Sequence, residues 1–367
     1  MKIAFYVFIT FCVTLTGNLF AQQSNRKDHL MKYHMYVAVS GDQKLLRYDM
    51  DTETGNLTLI EEIPAEGGIG PLCTDPQKTR LYASLRSSKE LATYKIDRET
   101  GALEHISSVP MNGGSCYIST DKTGRYIFSA YYGEGAVAIN AIDDNGAVLA
   151  PHRQWIPTAE HAHCFFTDRS NQYLFVPHTM PHNAIHQFTF DETTGELAQN
   201  ETIKVKVPRG EGPRHYEFHP TLDVAYVANE NGSSVTVYDF NTENGTLARR
   251  QNLSTLPADY TEKNTCAQIH IHPSGNFLYI SNRGHDSIAR FAVQADGSLK
   301  SLGQTPTEPI PRPFNLDPEG NFLFAGGQKS DKMASYRIDQ ETGDLTPLKV
   351  YDVGKQPMWI MILKFGK

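Results

Sequence analysis

One turn is written seven times in this chain. DTETGNL, DRETGAL, DDNGAV, DETTGEL, NTENGTL, QADGSL and DQETGDL place a glycine at 55, 101, 146, 195, 245, 297 and 343, at spacings of 46, 45, 49, 50, 52 and 46 residues. Each copy opens on Asp, Asn or Gln and carries a glycine able to take positive φ, which is β-hairpin chemistry. Alternating runs such as KLLRYDM or SVTVYDF precede the turn, and runs such as LTLIEEI follow it. Every period therefore holds four short strands. Four strands per period of this length point to an all-β, seven-bladed β-propeller. A two-sheet sandwich would not need the period.

With strands named a to d from the centre outward, a-strands are expected around Cys73, Tyr117, Phe165, Glu217, Ile269, Phe314 and Trp359. The b-strands begin near Tyr36, Tyr82, Ile127, Leu174, Ala225, Leu278 and Leu323. The chain enters at a b-strand and leaves after an a-strand, Pro357 to Lys364. One blade is thus built from three N-terminal strands and one C-terminal strand, a closure that leaves no open sheet edge at the seam.

Ahead of the repeats, MKIAFYVFITFCVTLTGNLFA has an early cation, an apolar middle and a small residue at Ala21. Residues 1–21 are expected to be a secretory signal peptide and 22–33 a disordered leader, with a single propeller domain over 34–367. The apolar run is too short to anchor the chain in a membrane. Losing Lys2 with that segment would change the formal charge from -7 to -8. A mild acidic balance without a basic run argues against nucleic acid or an anionic membrane as partner. Cys73, Cys116, Cys164 and Cys266 remain, all in or beside equivalent strands. They are expected as buried thiols near a crowded centre; paired disulfides or a reactive Cys116 are the alternatives.

In a propeller the a-strands line a central channel, and equivalent residues form rings around its mouth. One ring reads Gly70, Cys116, His163, Arg214, Ala267 and Arg312; the ends of the b-strands supply a second, Ser40, Arg86, Tyr131, His178, Glu230, Arg283 and Gln328. Loop ends are ordinarily polar, but solvated surface favours Lys and Glu, whereas Arg, His and Tyr dominate here. Convergent Arg, His and a carboxylate in a concavity suit an anionic substrate and proton transfer. Arg214, Arg283, Arg312 and Arg86 are candidates for gripping carboxylate or phosphate and steadying an oxyanion. His163, or Glu230 if its pKa is raised, is the candidate base. His161 and His163 in EHAH match metal-ligand spacing, but on a strand they need a third ligand from another blade, so no metal is expected at the site. His219, His270 and His272 are expected to be structural. The chain has no GxSxG, Walker loop or CxxC pair.

GPRHYEFHP followed by YVANENGSSVTVYDF, together with HAHCFFTD, IHIHPSGNFLYISNRGHDSIARF and NLDPEGNFLFAGGQKSDKMASYRID, resembles the seven-bladed lactonase family. That family groups propeller-type 6-phosphogluconolactonases with a 3-carboxymuconate lactonizing enzyme, and the likeness spans the chain beyond its N-terminal segment. It implies a metal-free and cofactor-free lactone hydrolase whose catalytic His, two Arg and Glu fall by motif on His163, Arg214, Arg283 and Glu230. Arg86, Tyr131, His161, His178, His215, Arg312 and Gln328 are the expected substrate contacts. The implied partner is a small anionic or sugar lactone, acted on by a monomer. The export signal departs from the cytoplasmic members of the family and points to a periplasmic or secreted protein. Cyclisation of a muconate, or ligand binding without catalysis, are the alternatives.

Overall fold

The computed structural model describes residues 32–366. The expected signal peptide and the leader up to residue 31 lie outside the described residues. Residues 32 and 33, assigned to the leader, instead open the first strand, Lys32–Val39. Tyr33 is buried there and lies opposite both Met50 and Lys364, so pairing on two sides draws the strand out beyond the expected boundary.

Seven sheets make up the ring. Blade 1 joins the C-terminal Pro357–Phe365 to Lys32–Val39, Lys44–Met50 and Leu57–Pro64, the expected three-plus-one closure. Blades 2, 3, 5, 6 and 7 each have four antiparallel strands in chain order, beginning at Ile69, Tyr117, Pro213, Thr265 and Pro311.

Blade 4 departs from the repeat. Its sheet has three strands, Tyr173–His178, Ala184–Asp191 and Glu196–Lys206. The innermost segment, residues 161 to 167, touches the first of these through isolated bridges at Ala162 and Thr167. Two local features break the ladder: His161 has positive φ, and Pro177 in the facing strand has no N–H to give. The Pro177 carbonyl still accepts the His163 N–H at 3.0 Å. The carbonyls of Ala162 and His163, left outside a regular ladder, face the Cys116 thiol at 3.3 and 3.5 Å.

The two middle strands of a blade are buried on both faces because sheet packs against sheet. Among the described residues seven apolar clusters occur, one at each seam between neighbouring blades. The recurring glycine also belongs to this seam. All seven have φ between 68° and 80°, and a Cβ on any of them would strike the first part of the second strand in the preceding blade: His34, Arg80, Tyr126, Tyr173, Val224, Phe277 or Phe322. Four glycine carbonyls accept a tyrosine hydroxyl from that same strand: Tyr36 to Gly101 at 2.7 Å, Tyr82 to Gly146 at 2.9 Å, Tyr226 to Gly297 at 2.9 Å and Tyr279 to Gly343 at 3.1 Å. Hairpin turn and blade contact are thus one feature.

Gly245→Ala forces a Cβ into positive φ and into the Tyr173 ring, so thermal unfolding should show a loss of about 2–5 kcal/mol. Gly133→Ala, which meets open space, should stay within about 0.5 kcal/mol; equal losses for the two would refute the seam account.

Candidate active site

Charged side chains reach the channel mouth through a repeated irregularity in the innermost strands. In five blades the ladder slips at the same place, between Ile69 and Leu72, Pro213 and His215, Cys266 and Ile269, Pro311 and Phe314, and where Met358 is inserted between Pro357 and Trp359. A bulge adds a residue to one strand and re-aims the side chains around it. Pro71, Arg214, Gln268, Arg312 and Met358 all fall in these slips and all line the channel pocket. The Arg214 bulge also allows consecutive residues, Arg214 and His215, to face the same space, which strict alternation forbids.

The mouth is a cavity of about 340 Å³ bounded by Arg86, Tyr132, His163, Glu230, Arg312 and Met358. A more enclosed pocket shares His163, Arg312 and Met358 and narrows to about 10 Å³ among Arg214, His215, Gln268 and Trp359. That volume is room for about one water molecule.

Glu230 stands just beyond the strand Val224–Asn229, at 2.9 Å from Nε of Arg214 and 3.0 Å from Nη2 of Arg283. Neither guanidinium is spent on the carboxylate. Nη1 of Arg214 donates to the Ala267 carbonyl at 2.6 Å and Nη2 of Arg283 to the Cys266 carbonyl at 2.8 Å, while Nε of each has no acceptor in line with its N–H. Burial works to raise the Glu230 carboxyl, but Arg214, Arg283 and Arg312 together hold it below the usual carboxylate range. Burial and the neighbouring cations pull Arg214 down to about 9 and Arg312 to about 10, so both remain cationic at neutral pH. Arg86 and Arg312 on the cavity wall, Arg214 in the enclosed pocket and Arg283 beside Glu230 set four guanidiniums against one carboxylate, so the surroundings of the cavity are positive.

His163 is buried and its Nδ1 lies 3.1 Å from Nε2 of His215. Burial, reinforced by Arg214, holds both imidazoles well below their ordinary pKa, so both are neutral at pH 7. If Nδ1 of His163 carries the proton and donates to His215, Nε2 of His163 keeps a free lone pair. Among the described residues that nitrogen has no hydrogen-bond partner.

His163, Arg214, Glu230 and Arg283 therefore converge from blades 4, 5 and 6, joined by Arg86, Arg312 and His215. Arg283 lines neither pocket and reaches the site through Glu230, and four expected contacts do not line the cavity. Tyr131 is fully buried with its ring 4.6 Å from that of Trp155, and the next residue, Tyr132, takes the place at the mouth. The inward face of the strand end belongs to the core, so the ring count was one residue short. His178 is turned away from the channel into the seam with blade 3, 3.0 Å from the Thr158 hydroxyl that follows that blade's outermost strand. His161 stacks on Tyr132 at 4.1 Å between ring centres, and its Nδ1 bonds the Met180 carbonyl, so it supports the wall rather than forming it. Gln328 bonds the Met358 sulfur at 2.9 Å and acts on the mouth through that side chain.

Gln268 and Met358 escaped sequence reasoning because a period of two cannot locate a bulge, and Tyr132 because it cannot locate where the strand ends. Cys73, Cys116, Cys164 and Cys266 are free and buried, and burial pushes the Cys116 thiol up, against a disulfide or reactive nucleophile. His219 and His272 brace turns through Leu222, Ser274 and Gly320, whereas His270 pairs with Glu217 at 3.1 Å.

Residues 34–362 match the family model described as lactonase, 7-bladed beta-propeller. Over 333 residues the chain is 39% identical to a 6-phosphogluconolactonase of Yersinia pestis, covering 90% of this chain and 98% of that one. The Yersinia enterocolitica 6-phosphogluconolactonase is 38% identical over 334 residues, 91% and 99% of the two chains. Among solved structures, a Pseudomonas aeruginosa periplasmic gluconolactonase superposes with a TM-score of 0.83 at 24% identity, over 90% of this chain and 99% of that one. A putative 6-phosphogluconolactonase from Bacteroides fragilis gives 0.82 at 24% identity, over 92% and 99%. By the extent of these matches, the chain belongs to the seven-bladed β-propeller lactonase family.

Proposed function

We propose that the chain hydrolyses a sugar-type lactone bearing an anionic substituent. The observation that carries this reading is a neutral His163 and Glu230 lining one cavity with Arg86 and Arg312, with Arg214 in the enclosed pocket beside it and both Arg214 and Arg283 paired to Glu230. The names of the Yersinia relatives, 6-phosphogluconolactonases, support the same reaction class.

Nε2 of His163 takes a proton from water as the oxygen attacks the lactone carbonyl carbon. The carbonyl oxygen becomes an oxyanion and meets guanidinium N–H groups of Arg214 and Arg283, held in place by Glu230. The ring C–O bond then breaks, and the imidazolium returns its proton to the departing alkoxide, giving a hydroxy acid. Arg312 and Arg86 hold the anionic substituent. Glu230 is a poor base because the guanidiniums already stabilise its charged form.

Export belongs to the same proposal and rests on Lys2, the apolar run after it and Ala21. Amino-terminal sequencing of the protein from a periplasmic or culture fraction should begin near residue 22; an intact Met1 there would refute it.

On a panel of aldonolactones and their phosphorylated forms, Arg214→Lys should lower kcat by about 10²-fold or more. His163→Asn should lower it by about 10²–10⁴-fold. Circular dichroism and Tm establish that each variant is folded. Wild-type turnover in both folded variants would end the hydrolase reading.

The acid limb of activity has a direction that follows from the same field. Arg214, Arg312 and Arg283 help to depress His163, and an anionic substrate cancels part of that field. The imidazole pKa should therefore be higher with substrate bound than without. As pH falls, kcat should begin to drop at a higher pH than kcat/KM does. The reverse order would exclude His163 as the base for an anionic substrate.

A further inference from the structure

We propose that His178, His182 and His186 form a binding site for one divalent transition-metal ion of the zinc type, separate from the lactone cavity. The hairpin of blade 4 builds it. Tyr173–His178 pairs with Ala184–Asp191, with His178 opposite Ala184 and Val176 opposite His186. His178 and His186 thus lie two ladder positions apart on one face, and His182 comes from the turn between them.

The three imidazoles close on one another with ring centres 4.5 to 5.0 Å apart. One ligand nitrogen from each lies within 4.8 Å of the others. Tetrahedral coordination with Zn–N bonds of about 2.0–2.1 Å needs nitrogens about 3.3–3.4 Å apart, so small side-chain rotations complete the set. His182 and His186 already face each other through Nε2 at 2.9 Å, a contact in which one proton is shared between two lone-pair nitrogens. A cation replaces that proton and uses both lone pairs.

Outer contacts suit a ligand role. Nδ1 of His178 lies 2.9 Å from the Val176 carbonyl, which fixes the proton there and leaves the lone pair on Nε2. The Thr158 hydroxyl beside that nitrogen has a second acceptor, the Gly135 carbonyl at 3.2 Å, and so can release it. Nδ1 of His186 is buried without a partner, which signals an incomplete set of contacts. Half-exposed His182 leaves a fourth position open to water.

Neutral imidazoles without a carboxylate favour zinc, nickel or copper over calcium and magnesium. Burial holds all three below the ordinary histidine pKa, so protons compete weakly at pH 7. Lys204, opposite His186 in the ladder, is the charged side chain whose field reaches His182 and His186, and it opposes the cation.

The metal would lock the hairpin that braces two neighbours of the mouth. The Met180 carbonyl bonds His161, and the Met180 N–H donates to Asn231 beside Glu230 at 3.3 Å.

The test uses the full mature chain, stripped with EDTA and dialysed, with no substrate present. Isothermal titration with ZnCl₂ should give one ion per chain, Co²⁺ should show visible ligand-field bands of a tetrahedral site, and Zn²⁺ should raise Tm by a few degrees. His182→Ala, on the exposed turn, and His186→Ala should each weaken binding at least about tenfold, the loss that even an outer-contact change produces. His105→Ala should leave it unaltered. No stoichiometric binding, or wild-type affinity in the folded His182→Ala variant, overturns the proposal.

Discussion

The contact between each hairpin glycine and the second strand of the preceding blade is the constraint on which the disc depends. A four-stranded sheet cannot bury both faces by itself, so each blade is stable only against two neighbours. The seven apolar clusters supply the burial, but burial is non-directional and does not fix how far one sheet slides over the next. The glycine turn does. Its missing Cβ lets a side chain from the preceding blade come into contact, aromatic at five of the seven, and where that strand carries a tyrosine two residues on, the hydroxyl bonds the glycine carbonyl. Repeated around the ring, one local requirement sets the angle between all the blades.

A rigid ring permits an electrostatically costly centre. Arg214 is 2% exposed and shares its surroundings with Arg283, Arg312 and Arg86. Burying like charges is unfavourable unless each is bonded and partly neutralised. Glu230 neutralises two of them, and backbone carbonyls exposed by the Cys266–Ile269 bulge accept from both. The surplus positive charge is not neutralised by the protein. Burial, reinforced by that charge, lowers His163 and His215 and keeps them uncharged, and the charge favours an anion in the cavity.

Blade 4 is where the repeat is given up. It lacks a continuous innermost strand, and the segment that replaces it carries His161 and His163. Pro177 removes a ladder donor and positive φ at His161 turns the chain, so His163 points toward blade 5 and meets His215. The same blade holds the three-histidine hairpin. Departure from the period thus coincides with a concentration of histidines, five between positions 161 and 186, as expected when local regularity is yielded to a site.

The seven turns, the strand-order closure at Pro357–Phe365 and the polar character of the rings were all legible from the sequence, because hairpin chemistry and period-two alternation are local properties. Arg214, Glu230, Arg283 and His163 were legible as candidates for the same reason, and the family likeness carried by GPRHYEFHP named the same four. Alternation could not reveal where it fails: Gln268 beside Ala267 and the inserted Met358 depend on slips in pairing that require both strands to be seen, and Tyr132 in place of Tyr131 depends on where the strand leaves the sheet. Nor could it show that His178 turns away from the channel toward His182 and His186. Local sequence determined the blades and the residue types at their ends; closing the ring decided which of those side chains share a cavity, because bulge position and inter-blade contact are properties of paired and packed strands rather than of any single segment.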